Sequence, residues 1–394
     1  MGRWALDWFQ GPRPLQGFLC CLLSLSFFTV WFGSADPWWR PKEWAVLVAG
    51  LVWIGWRTLC PPRAVGKMGV SIFLGALLIW IALQTSFLHI LPVVQAPGRY
   101  VTHPWVWLTY FHLVLLMVWY SDMVRSLKLE DLKPVWSVVG WIGLILSVLM
   151  LLQFAGRDPV IFLLERKVGT VRWLHGNHVI GLMGGPFQAG ACLAICVPVL
   201  VALNRKISLT LAALALLATG SASAIVSAFC GALAVLWTVG KRSLFVSLSF
   251  LGIGCALVSH WKGFFSFSGR IPLWTKSIEM WKESFLLQGT GLGTYKLLGI
   301  TAATANPDAP NTVRWAHNEW IQIGMELGAV GLILFTLFIG SVFLSLWKRP
   351  NAIPAGILVT GAILSVASIP FHLAPVVTTL VVSLAAVAIS SKGV

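Results

Sequence analysis

Residues 314–335, RWAHNEWIQIGMELGAVGLILF, open an apolar stretch of membrane length with an arginine, a histidine, an asparagine and a glutamate, and place a second glutamate further in. A neutral imidazole at His317 can take a proton from a hydroxyl, and a guanidinium at Arg314 can hold an anionic oxygen. Together these types suit acid–base chemistry on a charged substrate. On a helix Arg314, Asn318, Gln322 and Glu326 recur every four residues and line one descending stripe, with Glu319 beside it and His317 flanking its top. An ionisable group facing lipid is costly, so the stripe is expected to face protein or a wet cavity. It is then either a polar seam that fixes helix packing or the wall of a site.

Three neighbouring stretches carry further candidates. In SGRIPLWTKSIEMWKESF, residues Ile271, Trp274, Ile278, Trp281 and Phe285 share a helical face and Lys276, Glu279, Lys282 and Glu283 the others. That pattern predicts an amphipathic helix at the membrane interface, with its tryptophans at headgroup level. QGTGLGTY, residues 288–295, has Gly289, Gly291 and Gly293 at alternate positions, which permits a tight turn or close approach of backbone to a ligand. A dinucleotide-binding fingerprint would need a preceding strand and a different spacing. Upstream, VRWLHGNHVIGLMGGPFQAG breaks the first turns of a span with Gly181, Gly184, Gly185, Pro186 and Gly190, directly below Arg172, His175 and His178. Glycine-rich helix ends at membrane depth are tolerated where they line a cavity, and a helix start suits phosphate.

These stretches must be positioned by a membrane scaffold. The chain is 58% hydrophobic and 10% charged, with 22 Trp and 22 Phe in 394 residues, too much apolar surface for a soluble fold. Apolar runs near 15–34, 43–56, 69–90, 104–120, 134–155, 179–203, 207–221, 223–240, 243–260, 319–346, 352–369 and 371–390 predict about twelve transmembrane helices. The expectation is an all-α polytopic membrane protein, one domain over 1–394, with a large helical outer loop at 261–318 before the tenth helix. The first span follows a basic terminus but is expected to be retained, not cleaved.

The short-loop cations Arg57, Arg63, Lys67, Arg125, Lys128, Lys133, Arg205, Lys206, Lys241, Arg242, Lys348 and Arg349 alternate consistently if they face the cytoplasm. The net charge of +15 is thus divided between two membrane faces and does not imply nucleic acid. The outer segments 156–178 and 261–318 still hold Arg157, Arg166, Lys167, Arg172, Lys262, Arg270, Lys276, Lys282, Lys296 and Arg314 against five carboxylates, which calls for an anionic partner. Histidines gather there too: His89, His103, His175, His178, His260, His317 and His372 fall at outer span ends and His112 lies mid-span. The cysteines fall in predicted spans or a short basic loop, and Cys192 and Cys196 are expected to pack and not to bind metal.

The ordered set of Arg270, Trp274, Gly289, Gly291, Gly293, His317, Asn318, Glu326, Leu327, Gly328 and Gly331 resembles the bacterial O-antigen ligase and O-antigen polymerase superfamily, and GLMGGPFQAG is similar to its earlier glycine-proline motif. The chain departs from that pattern at His178 and at Thr219-Gly220-Ser221-Ala222, where arginines often stand. The resemblance implies glycosyl transfer on the periplasmic side of the bacterial inner membrane. The donor would be a glycan on undecaprenyl diphosphate and the acceptor a sugar hydroxyl of lipid A core or a similar glycan, with inversion at the anomeric carbon; the outer face has no cluster of acidic residues that suits a divalent metal, so neither metal nor cofactor is expected.

His317 would be the base, and Arg270 and Arg314 would hold the diphosphate. Arg172, His178, Asn318, Glu326, Trp274, Gly291, Gly293 and Lys296 would complete the substrate site. Polymerases of the superfamily often place a glycine eleven residues after an outer arginine; here those positions are Val168, Asn177, Met183, Trp281 and Met325, which favours the ligase branch. A transporter using Glu326 as an ion site and the outer cations as an anion funnel is the alternative from another class. A bare scaffold is a third.

Overall fold

The computed structural model describes residues 12–28, 40–59, 72–88, 104–159, 179–183, 185–240, 270–284, 286–295, 315–367, 371 and 373–391. Their regular structure is helical throughout: α1 (Pro12–Phe28), α2 (Arg40–Leu59), α3 (Ile72–Leu88), α4 (Pro104–Ser126), a 3-10 turn (Leu129–Leu132), α5 (Lys133–Phe154), α6 (Pro186–Ala194), α7 (Val197–Ala202), α8 (Lys206–Thr219), α9 (Ala222–Thr238), α10 (Ile271–Ser284), α11 (Glu319–Lys348), α12 (Ala352–Ala367) and α13 (Ala374–Ser391). Leu129–Phe154, Glu319–Lys348 and Ala374–Ser391 are long and apolar enough to cross a membrane, and six shorter apolar helices accompany them. The chain is an all-α, multi-pass membrane protein. The expected span near 243–260, most of the outer loops, and Arg172, His178, Lys296 and Arg314 lie outside the described residues.

The described helices lie where the apolar runs put them, but not every run is one unbroken helix. The run 179–203 is not a single helix: after the turn 179–183, α6 starts with Pro186 in its first turn and ends at Ala194, and α7 restarts at Val197 with Pro198 in its own first turn. A proline has no N–H to give and crowds the preceding turn, so it begins a helix well and continues one badly. Between α8 and α9 the chain turns at Gly220, whose φ of 62° is the left-handed helix cap that glycine adopts without strain.

One large apolar core joins α1 to α9 and α11 to α13. Its tightest seam is α9 on α12, where a Cβ on Gly356 would stand 2.9 Å from the Gly231 carbonyl. Small residues allow such close backbone approach between helices. Many outward apolar side chains stay exposed, Trp347 at 81% and Ile207 at 79% among them, as befits surfaces that meet lipid. Cys192 and Cys196 are fully buried, and the Cys196 thiol donates to the Cys192 carbonyl at 3.3 Å.

Candidate active site

The polar opening of the 314–335 segment is a cap and not a helical turn. Asn318 is the N-cap of α11: its side-chain oxygen accepts from Trp320 N at 3.0 Å and Ile321 N at 3.1 Å, meeting two of the free N–H groups of a helix start. Asn318 therefore stands at the edge of the helix. Just before it His317 adopts φ 53°, the left-handed region that a non-glycine residue enters only when its surroundings hold it there.

Those surroundings are visible. The Ala316 carbonyl accepts from the Trp274 indole at 2.9 Å, and the Ala316 N–H donates to the Gln322 side chain at 3.3 Å. Glu319 accepts from Phe371 N at 2.9 Å, and the Trp320 indole donates to Ser365 at 2.9 Å, which ties the same end of α11 to α12 and the segment beyond it.

The stripe is buried as expected: Asn318, Glu319, Gln322 and Glu326 are between 1% and 9% exposed. What it faces is the glycine turn. The Glu326 carboxylate accepts from Gly293 N at 2.8 Å, Tyr295 N at 3.1 Å and the Gln322 amide at 3.2 Å. Three N–H donors on one carboxylate fix its position in a way that a single hydrogen bond cannot.

The backbone reinforces the join, because α11 is broken at Gly328, with φ 71° and ψ −177°. The break leaves carbonyls without their helical partners. Thr290 N and Gly291 N donate to the Met325 and Glu326 carbonyls at 2.8 and 2.7 Å, while Ala329 N donates to Leu286 O at 2.8 Å. The Trp80 indole of α3 donates to the Leu327 carbonyl at 2.8 Å. A Cβ on Gly289 would collide with the backbone of Gly328 and Glu326, and one on Gly328 with the Leu287 carbonyl. The two glycines are needed by one another: the turn enters the gap in the helix.

α10 covers this assembly. Its inward face is Leu273, Ser277 and the flanks of Trp274, Met280 and Trp281, grouped with Tyr295, Ala316 and Met325. Ile271, expected on the apolar face, is 55% exposed. The Trp281 indole donates to Leu286 O at 3.1 Å, its ring lies against Gly324, and the Trp274 indole is engaged at Ala316. Tyr295 shares a 2.9 Å hydrogen bond with Ser277, and burial pushes its phenol up to about 12.

Arg270 stands one residue before α10, half-buried, with its guanidinium over the Phe187 ring of α6 at 5.3 Å, within cation–π range. Burial lowers its pKa. It also lies close enough to His317 to act on it: burial first, and the Arg270 charge second, hold the imidazole down to about 4. Both causes disfavour a second cation, so His317 is neutral at pH 7 and has a lone pair to offer.

Of the residues named from sequence, the structure brings His317, Arg270, Trp274, Asn318, Glu326, Gly291 and Gly293 into one assembly. Gln322, named only as part of the stripe, proves to be the link between Glu326 and Ala316. Its position one turn before Glu326 was the available signal. Phe187, under Arg270, had none beyond lying in the glycine-proline motif.

Residues 207–336 match the family model of the O-antigen ligases, a segment that runs from α8 through α10 and the glycine turn and past the break in α11. Over this stretch the chain is similar to the O-antigen ligases. A search of curated proteins gives no match.

Proposed function

We propose that the protein is an O-antigen ligase-type glycosyltransferase that moves a glycan from an undecaprenyl diphosphate carrier to a sugar hydroxyl of lipid A core, at the periplasmic face of the bacterial inner membrane. The observation that carries this reading is His317, a neutral imidazole locked in a left-handed turn beside a half-buried arginine within the family-matched segment. In one step, the acceptor hydroxyl gives its proton to a ring nitrogen of His317 and its oxygen bonds to the anomeric carbon. The bond from that carbon to the diphosphate oxygen breaks, and its electron pair leaves with the lipid diphosphate. Attack opposite the leaving group inverts the anomeric centre.

Arg270 would hold the charge that develops on the diphosphate. Occupation by that anion offsets the Arg270 charge felt by His317, which brings the imidazole towards its ordinary basicity when a base is needed. Trp274, Asn318, Gln322 and Glu326 act as positioning residues in this reading, with Gly291 and Gly293 supplying the N–H groups that seat Glu326. Arg314, Arg172, His178 and Lys296 would supply further contacts to the anionic donor.

The hydrogen bonds of Glu326 speak against the transporter reading, since its carboxylate is engaged by two backbone N–H groups and an amide. The test is the product linkage. Reconstituted protein given an α-linked lipid diphosphate glycan and lipid A core should yield a β-linked product by NMR; a retained α linkage would contradict single displacement.

A further inference from the structure

The glycine turn and α10 are joined by a pair of buried hydroxyls that the transfer step does not use. Tyr295 and Ser277 are both 0% exposed, and their side-chain oxygens lie 2.9 Å apart. The Ser277 hydroxyl has one proton, and it goes to the Leu273 carbonyl at 2.8 Å. The Tyr295 phenol is therefore the donor and Ser277 the acceptor. At its other end Tyr295 gives its backbone N–H to Glu326 at 3.1 Å. One residue thus braces α11 against α10, by its main chain on one side and its hydroxyl on the other.

Phenylalanine would fill the same volume, and burying a hydroxyl costs free energy unless it is paired. What the pair adds to apolar packing is direction: it fixes the rotation and height of α10, which apolar contact alone leaves freer to slide. Trp274, Ser277 and Trp281 share one face of α10, and each spends its polar atom on a different segment, at Ala316, Tyr295 and Leu286. Arg270 moves with this helix, because its carbonyl accepts from Trp274 N at 2.9 Å and closes the first turn. Its guanidinium lies over the Phe187 ring of α6. Arg270 and Ser277 are separated by roughly 10 Å of helix, so a small rotation at the brace displaces the guanidinium.

We propose that Tyr295 and Ser277 are positioning residues for the lipid diphosphate: their hydrogen bond sets where Arg270 stands against the donor and against His317. The proposal rests on the glycosyl-transfer reading and adds to it two residues that touch neither the base nor the donor. Of the charged groups at this end of α11, Glu319 is turned to Phe371 N and Glu326 to the glycine turn, while Arg270 is the charge that acts on the imidazole.

The test is steady-state transfer by the full-length protein in nanodiscs, from an undecaprenyl diphosphate-linked glycan to lipid A core. It compares wild type, Tyr295→Phe, Ser277→Ala and the double variant, with Tyr295→Phe also in an Arg270→Gln background, all per folded protein. One neutral hydrogen bond corresponds to roughly fivefold in an equilibrium. Tyr295→Phe should raise donor KM about fivefold, leave acceptor KM within about twofold of wild type, and move the acid limb of kcat/KM upward as the Arg270 charge recedes from His317. Ser277→Ala leaves the phenol buried without its acceptor and should be more severe, and adding Tyr295→Phe to it should restore the level of Tyr295→Phe alone. In the Arg270→Gln background Tyr295→Phe should change donor KM by less than about twofold, since the group it positions is gone. Tyr295→Phe keeps the ring and its packing, so it decides the matter even if Ser277→Ala does not fold. A wild-type donor KM and acid limb in folded Tyr295→Phe, or the same fivefold rise without the guanidinium, would overturn the brace and leave the transfer reading standing. Wild-type protein that transfers nothing from a verified donor would overturn both.

Discussion

At the scale of the residue, His317 combines a strained backbone with a suppressed imidazole pKa. Its ordinary value of 6.5 falls to about 4 in the fold, with burial the larger cause and Arg270 the smaller. A base must be unprotonated, so the acid limb of kcat/KM, which reports the free enzyme, should lie near pH 4 and not near 6.5. The acid limb of kcat, measured with the anionic donor bound, should lie higher.

Arg270→Gln removes the smaller cause. Its kcat/KM limb should move up yet remain below 6.5, together with a rise in donor KM; an unmoved limb would remove Arg270 from the electrostatics of the base. The same shift bears on stability. Between about pH 6.5 and 4 the unfolded chain takes up a proton at His317 that the folded chain refuses, so this group's stabilisation is complete above pH 6.5 and declines as pH falls through that window. His317→Gln should flatten that part of a melting-temperature profile.

At the scale of the element, the outer end of α11 and the glycine turn form one unit, held by backbone hydrogen bonds across the break at Gly328 and by the Glu326 carboxylate. Glu326→Gln turns an NH2 towards N–H donors and leaves a buried donor unmet, at a cost of about 1–3 kcal/mol. It should lower the melting temperature while leaving measurable transfer in the folded fraction. Gly289→Ala forces a Cβ into the backbone of Gly328 and should be more severe, and expression and melting in detergent read both. Loss of all transfer by a fully folded Glu326→Gln would give that carboxylate a part in the chemistry itself.

The stripe was legible in the sequence because helix periodicity puts Asn318, Gln322 and Glu326 on one face. The inserted turn was not, because Gly289 and Gly328 are 39 residues apart and nothing local pairs them. The packing face of α10 was not legible for a related reason: only Tyr295 and Ala316, distant in sequence, select Leu273 as the residue that turns inward.

At the scale of the whole molecule, composition and apolar runs were enough to give the class, since only helices satisfy their own backbone while crossing lipid. They could not show that the 179–203 run divides into a turn and two short helices, with Pro186 and Pro198 each in the first turn of a new helix. The orientation from loop cations makes a prediction at this scale. Alkaline phosphatase fused after residue 296 should be active in the periplasm, whereas green fluorescent protein fused after residue 350 should fluoresce in the cytoplasm. The opposite pair would invert the protein and take His317 away from any periplasmic donor.

The most direct measurement is transfer by purified protein in nanodiscs, given an undecaprenyl diphosphate-linked glycan and lipid A core, with wild type and His317→Ala compared by product size on a gel. Single addition of the glycan to lipid A core by wild type, reduced by about a hundredfold or more in a folded His317→Ala, is the predicted result. Equal transfer by the two proteins would contradict His317 as the base. No transfer by a folded wild type with verified donor and acceptor would contradict the ligase itself.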